Sequence, residues 1–126
     1  MAAVPEPSRT VLVVDDDADT AQMFAYLLRD LGHAAEYVTS PHCVLEVARR
    51  MRPDLIFLDI GMPEVNGWEL ARLLRRELGE DSVRIVALTG RGAPEDHKRS
   101  REAGCDAHVQ KPIDMALLRS ILAHMA

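Results

Sequence analysis

The side chains best placed to do chemistry in this chain are mostly carboxylates. Asp15 and Asp16 follow the apolar run VLVV, Asp59 follows LIFL, Thr89 follows RIVAL and Lys111 follows AHVQ. Each has a plain structural explanation when taken singly. Asp15-Asp16-Asp17 could be loop and helix-cap acids, Asp59 a turn residue, Thr89 a β-branched strand end and Lys111 a solvated charge. Those explanations fail together. If the runs are parallel strands of one sheet, three acids, a hydroxyl and an ammonium meet at one edge. Two unit charges ~5 Å apart repel by roughly 3 kcal/mol at an effective dielectric near 20, so such a cluster calls for a cation. The donors are all oxygen, with no histidine or thiolate in the pattern, which points to a hard ion: Mg²⁺, or Mn²⁺ in its place. Asp16 and Asp59 are the expected direct ligands, with Asp15 reaching the ion through water. Asp59 then becomes a nucleophile towards phosphorus, with the Lys111 ammonium and the Thr89 hydroxyl taking phosphoryl oxygens. Its product, an aspartyl phosphate, is labile and suits a reversible signal.

The elements that must hold these groups are legible as an alternation. VLVV, LIFL and RIVAL are continuous apolar runs, as expected of strands covered on both faces. AAEYV (34–38) and AHVQ (107–110) are more mixed and suit strands nearer the sheet edges. Between them, Ala21, Phe24, Ala25, Leu28 and Leu31 form a helical stripe that ends at Gly32. Ser40 and Pro41 predict an N-cap and first helical position for a second helix with Val44, Val47, Ala48 and Met51 inward. Asn66 caps a third helix carrying Leu70, Ala71, Leu74 and Leu78. Pro94 opens a fourth, with Lys98, Arg99, Arg101 and Glu102 and hardly any apolar stripe. Asp114 caps a fifth, with Leu118, Ile121, Leu122 and Met125. Five βα units with right-handed crossovers put helices on both faces of a parallel sheet, and functional groups gather where its strands end.

Bulk properties bound the setting. The 126 residues suffice for one domain, read as a flexible leader over 1–9 and a folded domain over 10–126, and 48% hydrophobic content fits an ordinary globule. The apolar runs are far shorter than the ~20 residues of a membrane span, and MAAVPEPSRT lacks the apolar core of a signal peptide. A formal net charge of −5 offers no basic face for nucleic acid. Cys43 and Cys105 have no metal or redox spacing and read as buried or half-buried free thiols of a reducing cytoplasm.

VLVVDDD, FLDIGMPEVNGWEL, ALTG and VQKP together resemble the signature segments of two-component response-regulator receiver domains. The resemblance runs from about Thr10 to the last helix, and the steps of 30 residues from Asp59 to Thr89 and 22 from there to Lys111 agree with it. It implies a flavodoxin-like (βα)5 fold of strand order 2-1-3-4-5, like the chemotaxis regulators. It also implies that Asp59 is the phospho-acceptor, that the Gly61 carbonyl completes the metal site, and that the Lys111–Pro112 peptide is cis. The implied partners are a histidine kinase or histidine phosphotransfer protein, and a downstream protein met through the fourth helix, fifth strand and fifth helix. A monomer or weak dimer is expected. DIGMP with REAGCDAHVQKP is similar to receivers attached to hybrid sensor kinases.

Two site positions depart from the common pattern. Gly61, two residues past the acceptor, replaces a larger side chain and should admit water to the acyl phosphate; alternatively it only eases a tight turn. His108, three before Lys111, stands where receivers carry a Tyr or Phe that turns inward on activation. It is either a switch residue coupled to Thr89 or a half-exposed edge-strand histidine. Other classes fit less well. A haloacid-dehalogenase-type phosphatase wants D-x-D-x-[TV], which both registers of Asp15, Asp17 and Asp19 miss. A nucleotide or flavin binder wants a glycine-rich first loop, not Asp-Asp-Asp-Ala-Asp. A phosphorylation-independent binding module would not need the complete set Asp15, Asp16, Asp59, Thr89 and Lys111.

Overall fold

Local patterning builds most of the elements, the fourth helix least of all. A computed structural model describes residues 8–63, 65–79, 81–90 and 94–124. Strands β1 (Thr10–Val14), β2 (Ala34–Val38), β3 (Leu55–Asp59), β4 (Arg84–Thr89) and β5 (Ala107–Gln110) alternate with helices α1 (Ala18–Asp30), α2 (Val44–Met51), α3 (Gly67–Leu78), α4 (Pro94–Glu102) and α5 (Met115–His124). All strand pairs are parallel and the sheet order is β2-β1-β3-β4-β5. The mixed runs AAEYV and AHVQ are the two edges, and the continuous apolar runs are the three central strands.

Alternation along those strands splits the core in two. Leu12, Val14, Ile56, Leu58, Ile85 and Ala87 face α2 and α3, meeting Val44, Ala48, Leu70, Ala71 and Leu74. Val11, Val13, Leu55, Phe57, Val86 and Leu88 face the other way, onto Ala21, Ala25 and Leu28 of α1 and Leu118, Ile121 and Leu122 of α5. Every residue of β3 is buried, because helices cover both of its faces and neighbours flank both edges.

The helix starts follow local chemistry, with one correction. Asp17 caps α1, accepting from the Asp19 N–H; Asn66 caps α3, accepting from the N–H groups of Trp68 and Glu69; Asp114 accepts from Leu117 N–H at the start of α5. Ser40 makes no such side-chain bond. Instead Pro41–Cys43 form a 3₁₀ turn, closed by Cys43 N–H on the Ser40 carbonyl at 3.2 Å, and α2 begins only at Val44. Backbone geometry set by the proline therefore replaces the hydroxyl cap. Cys43 is also exposed, contrary to expectation, while Cys105 is buried.

Residues 1–7 of the expected leader lie outside the described residues, as does Met125. Ser8 donates to the Gly32 carbonyl at 3.0 Å, and the Arg9 backbone N–H to His33 Nδ1 at 2.9 Å. Among the described residues, no helix is long and apolar enough to cross a membrane.

Candidate functional site

Each site residue stands where its strand ends. Asp59 closes β3, and Asp15 directly follows β1. Thr89 closes β4, and Lys111 directly follows β5. Parallel pairing puts all four ends at one edge, and backbone bonds fix their register. Ile60 N–H donates to the Leu88 carbonyl at 2.9 Å and Lys111 N–H to the Thr89 carbonyl at 2.7 Å.

The side chains then converge. Oxygens of Asp15, Asp16 and Asp59 lie within 4.8 Å of one another. Asp15 and Asp59 are buried, whereas Asp16 is exposed at the rim. Lys111 Nζ sits 2.9 Å from Asp15 Oδ2 and 3.4 Å from Asp59 Oδ2. The second oxygens are held by the backbone: Asp17 N–H donates to Asp15 Oδ1 at 3.0 Å and Gly61 N–H to Asp59 Oδ1 at 2.9 Å. Both Asp15 oxygens are thus engaged within the protein. Three acids facing one ammonium leave an excess of negative charge, and an all-oxygen donor set of this size fits a hard divalent cation.

The electrostatics agree. Burial raises the Asp59 carboxyl above its ordinary range; the Gly61 N–H and the Lys111 charge pull it down, and the Asp15 charge pushes it further up. Lys111 is also raised. Burial opposes its charge, but the hydrogen bond to Asp15 and the charges of Asp59 and Asp15 outweigh that. The Lys111–Pro112 peptide is cis, as expected.

At the two atypical positions the surroundings are specific. Gly61 has no positive φ, and among the described residues a Cβ there would meet only Asp59 Oδ1, at 3.6 Å. The turn therefore does not demand glycine, and a side chain at 61 would stand beside the Asp59 carboxylate. His108 is half-buried; its Nδ1 is 2.6 Å from Ser100 Oγ and its ring is 4.1 Å, centre to centre, from that of His97. Both of these side-chain contacts are with α4.

One structural requirement of the site is missing from the motif reading. Gly67, the first residue of α3, packs so closely that a Cβ would lie 2.6 Å from Ile60 Cα. Only glycine lets α3 start against the residue next to Asp59. The Asn-Gly pair at a helix start is the local signal, but the partner backbone is invisible in sequence.

A doubly wound parallel sheet of order β2-β1-β3-β4-β5, with its acids at the carboxyl edge where the strand order reverses between β1 and β3, defines a flavodoxin-like domain. Residues 11–123 match the response regulator receiver domain family, and the chain belongs to that family. It is 31% identical to the polar-differentiation response regulator DivK of Brucella ovis over 86% of this chain and 88% of that protein. The chemotaxis protein CheY4 of Vibrio cholerae superposes with a TM-score of 0.87 at 27% identity, covering 95% of this chain and all of the other. A response regulator of Burkholderia pseudomallei, solved with a phosphorylated aspartic acid, a calcium ion and citrate, gives 0.82 at 26% identity over 94% of this chain and 67% of that one. Receiver domains are signalling phosphoacceptors of two-component systems rather than conventional enzymes.

Proposed function

We propose that Asp59 is the phospho-acceptor of this receiver and that Lys111 and Thr89 bind the phosphoryl oxygens. An Asp59 oxygen attacks the phosphorus of a phosphohistidine on a histidine kinase or phosphotransfer protein. A P–O bond forms, the P–N bond breaks, and the leaving imidazole takes up a proton. Asp16 and Asp59 are the direct carboxylate ligands of Mg²⁺ (or Mn²⁺), Asp15 acts through water, and the Gly61 carbonyl completes the set. When bound, the cation neutralises charge that the acidic cluster and the phosphoryl group would otherwise concentrate. Attack of water on phosphorus later returns Asp59 and inorganic phosphate. The signal leaves through protein contacts on α4, β5 and α5, and the setting is the cytoplasm.

The observation that carries this reading is the position of Asp59. It is a buried carboxylate with two further acids within 4.8 Å and an ammonium at 3.4 Å. The aspartyl phosphate of the Burkholderia relative supports it. Acetyl phosphate with Mg²⁺ should add one phosphoryl group to the intact mass, and Asp59→Asn should take none. Undiminished labelling of the variant, or labelling of the wild type unchanged by EDTA, would count against it.

A further inference from the structure

Helix α4 has almost nothing apolar with which to dock. Ser100 is its one buried residue, 1% exposed, and the others are charged or polar side chains and Pro94. Burial of apolar area cannot hold such a helix tightly. Polar contacts to other elements do so instead. Trp68 Nε1 donates to Ser100 Oγ at 2.9 Å, and Ser100 Oγ lies 2.6 Å from His108 Nδ1. An indole N–H can only donate, so the Ser100 oxygen accepts there, while the direction of its bond with His108 Nδ1 follows the histidine tautomer. The Arg99 guanidinium covers the Trp68 ring at 4.1 Å, and His97 lies on His108. The result is a clasp from the first turn of α3, through α4, to β5.

Both ends of the clasp are tied to the phosphoryl site. Trp68 follows Gly67, whose backbone presses on Ile60, the neighbour of Asp59. His108 lies three residues before Lys111 on the strand that delivers it. On phosphorylation Lys111, whose ammonium lies 2.9 Å from Asp15 and 3.4 Å from Asp59, directs one of its three N–H donors to the phosphoryl group. Thr89, which closes β4 ahead of the segment that leads into α4, contacts the same group. We infer that Trp68 and Ser100 are positioning residues that favour the unphosphorylated arrangement by holding α4 between α3 and β5. This rests on Asp59 being the acceptor. By linkage, whatever the clasp adds to that arrangement is lost when a phosphoryl group binds, so weakening the clasp strengthens phosphoryl binding by the same factor.

Beryllofluoride with Mg²⁺, a mimic of the phosphoryl group, tests this in the full chain. Trp68 is the only tryptophan, so its emission reports the clasp directly. Ser100→Ala removes one buried hydrogen-bond centre and should tighten beryllofluoride binding by about 5-fold, the worth of a single such bond. Without ligand, its emission should already resemble that of the wild-type complex. Ser100→Thr keeps a hydroxyl and should return affinity towards wild type. Trp68→Phe keeps a ring without the N–H; followed by calorimetry, it should shift affinity in the same direction as Ser100→Ala. Equal or weaker affinity in Ser100→Ala and Trp68→Phe overturns the inference. If the wild type does not bind beryllofluoride, or Asp59→Asn binds it equally well, the acceptor assignment fails instead.

Discussion

Asp59→Asn should make the metal-free protein more stable while weakening its response to Mg²⁺. At separations up to 4.8 Å, Asp15 repels the Asp59 charge by ~3.5 kcal/mol at an effective dielectric near 20, and the exposed Asp16 by about half of that. Lys111 at 3.4 Å attracts it by ~5 kcal/mol on the same scale, so the pairwise contributions nearly cancel. What remains is the cost of keeping a carboxylate out of water in a side chain only 8% exposed. An asparagine oxygen can still accept the Gly61 N–H, so that bond need not be lost. The variant should therefore gain about 1–2 kcal/mol, or ~5 °C in Tm for a domain of this size. Urea unfolding in EDTA, followed by circular dichroism, measures it. In MgCl₂ at ten times the wild-type Kd, the wild type should gain ~1.4 kcal/mol by mass action, and the variant much less. A variant less stable than wild type in EDTA would refute the charge reckoning. Equal Mg²⁺ stabilisation of both proteins would remove Asp59 from the metal site.

Other consequences are as specific. Gly61→Asn should lengthen the phosphate half-life with little loss of stability, because a Cβ at 61 meets, among the described residues, only Asp59 Oδ1 at 3.6 Å; acid-quenched phosphate release reads this. Gly67→Ala forces a Cβ to 2.6 Å from Ile60 Cα and should cost about 2–3 kcal/mol by overpacking, seen in the urea midpoint. The Arg75 guanidinium bonds the Gly104 and Val83 carbonyls and Asp106 Oδ2, the last at 2.6 Å, with its side chain 11% exposed; Arg75→Ala should cost ~3 kcal/mol, while adding Asp106→Asn should recover part of it. Burial pushes the Cys105 thiol up to about 12, with the Arg75 charge opposing and Asp106 adding. Native protein should therefore be alkylated at the exposed Cys43 alone, checked by peptide mass. Because the unfolded thiol ionises first, the Cys105 contribution to stability should be complete below pH 9 and should decline as pH rises from there towards 12.

Much of the site was legible because it depends on local facts. A parallel strand reads as an apolar run wherever it lies, and its last residue is identifiable without knowing its neighbours. Asp15, Asp59, Thr89 and Lys111 could thus be found from composition and position, and the resemblance supplied the strand order. The caps at Asn66 and Asp114 are equally local, since their partners lie within three residues. Ser40 shows the limit of that logic: a good cap residue was bypassed because the adjacent Pro41 closed a 3₁₀ turn through the backbone.

The tertiary structure alone decided which groups meet across long stretches of chain. Lys111 and Asp15 are 96 residues apart in sequence, Arg75 and Asp106 31, and Trp68 and Ser100 32. None of these pairs leaves a periodic trace, because a single polar contact constrains one side chain and not a repeating face. Ser100 and Gly67 looked ordinary for the same reason. Their importance comes from what packs against them. The chain's sequence determined the alternating elements and the acids at their ends. Packing of the sheet decided that Asp15 and Asp59 share one ammonium, and that a nearly apolar-free helix meets α3 and β5 through Ser100, Arg99 and His97.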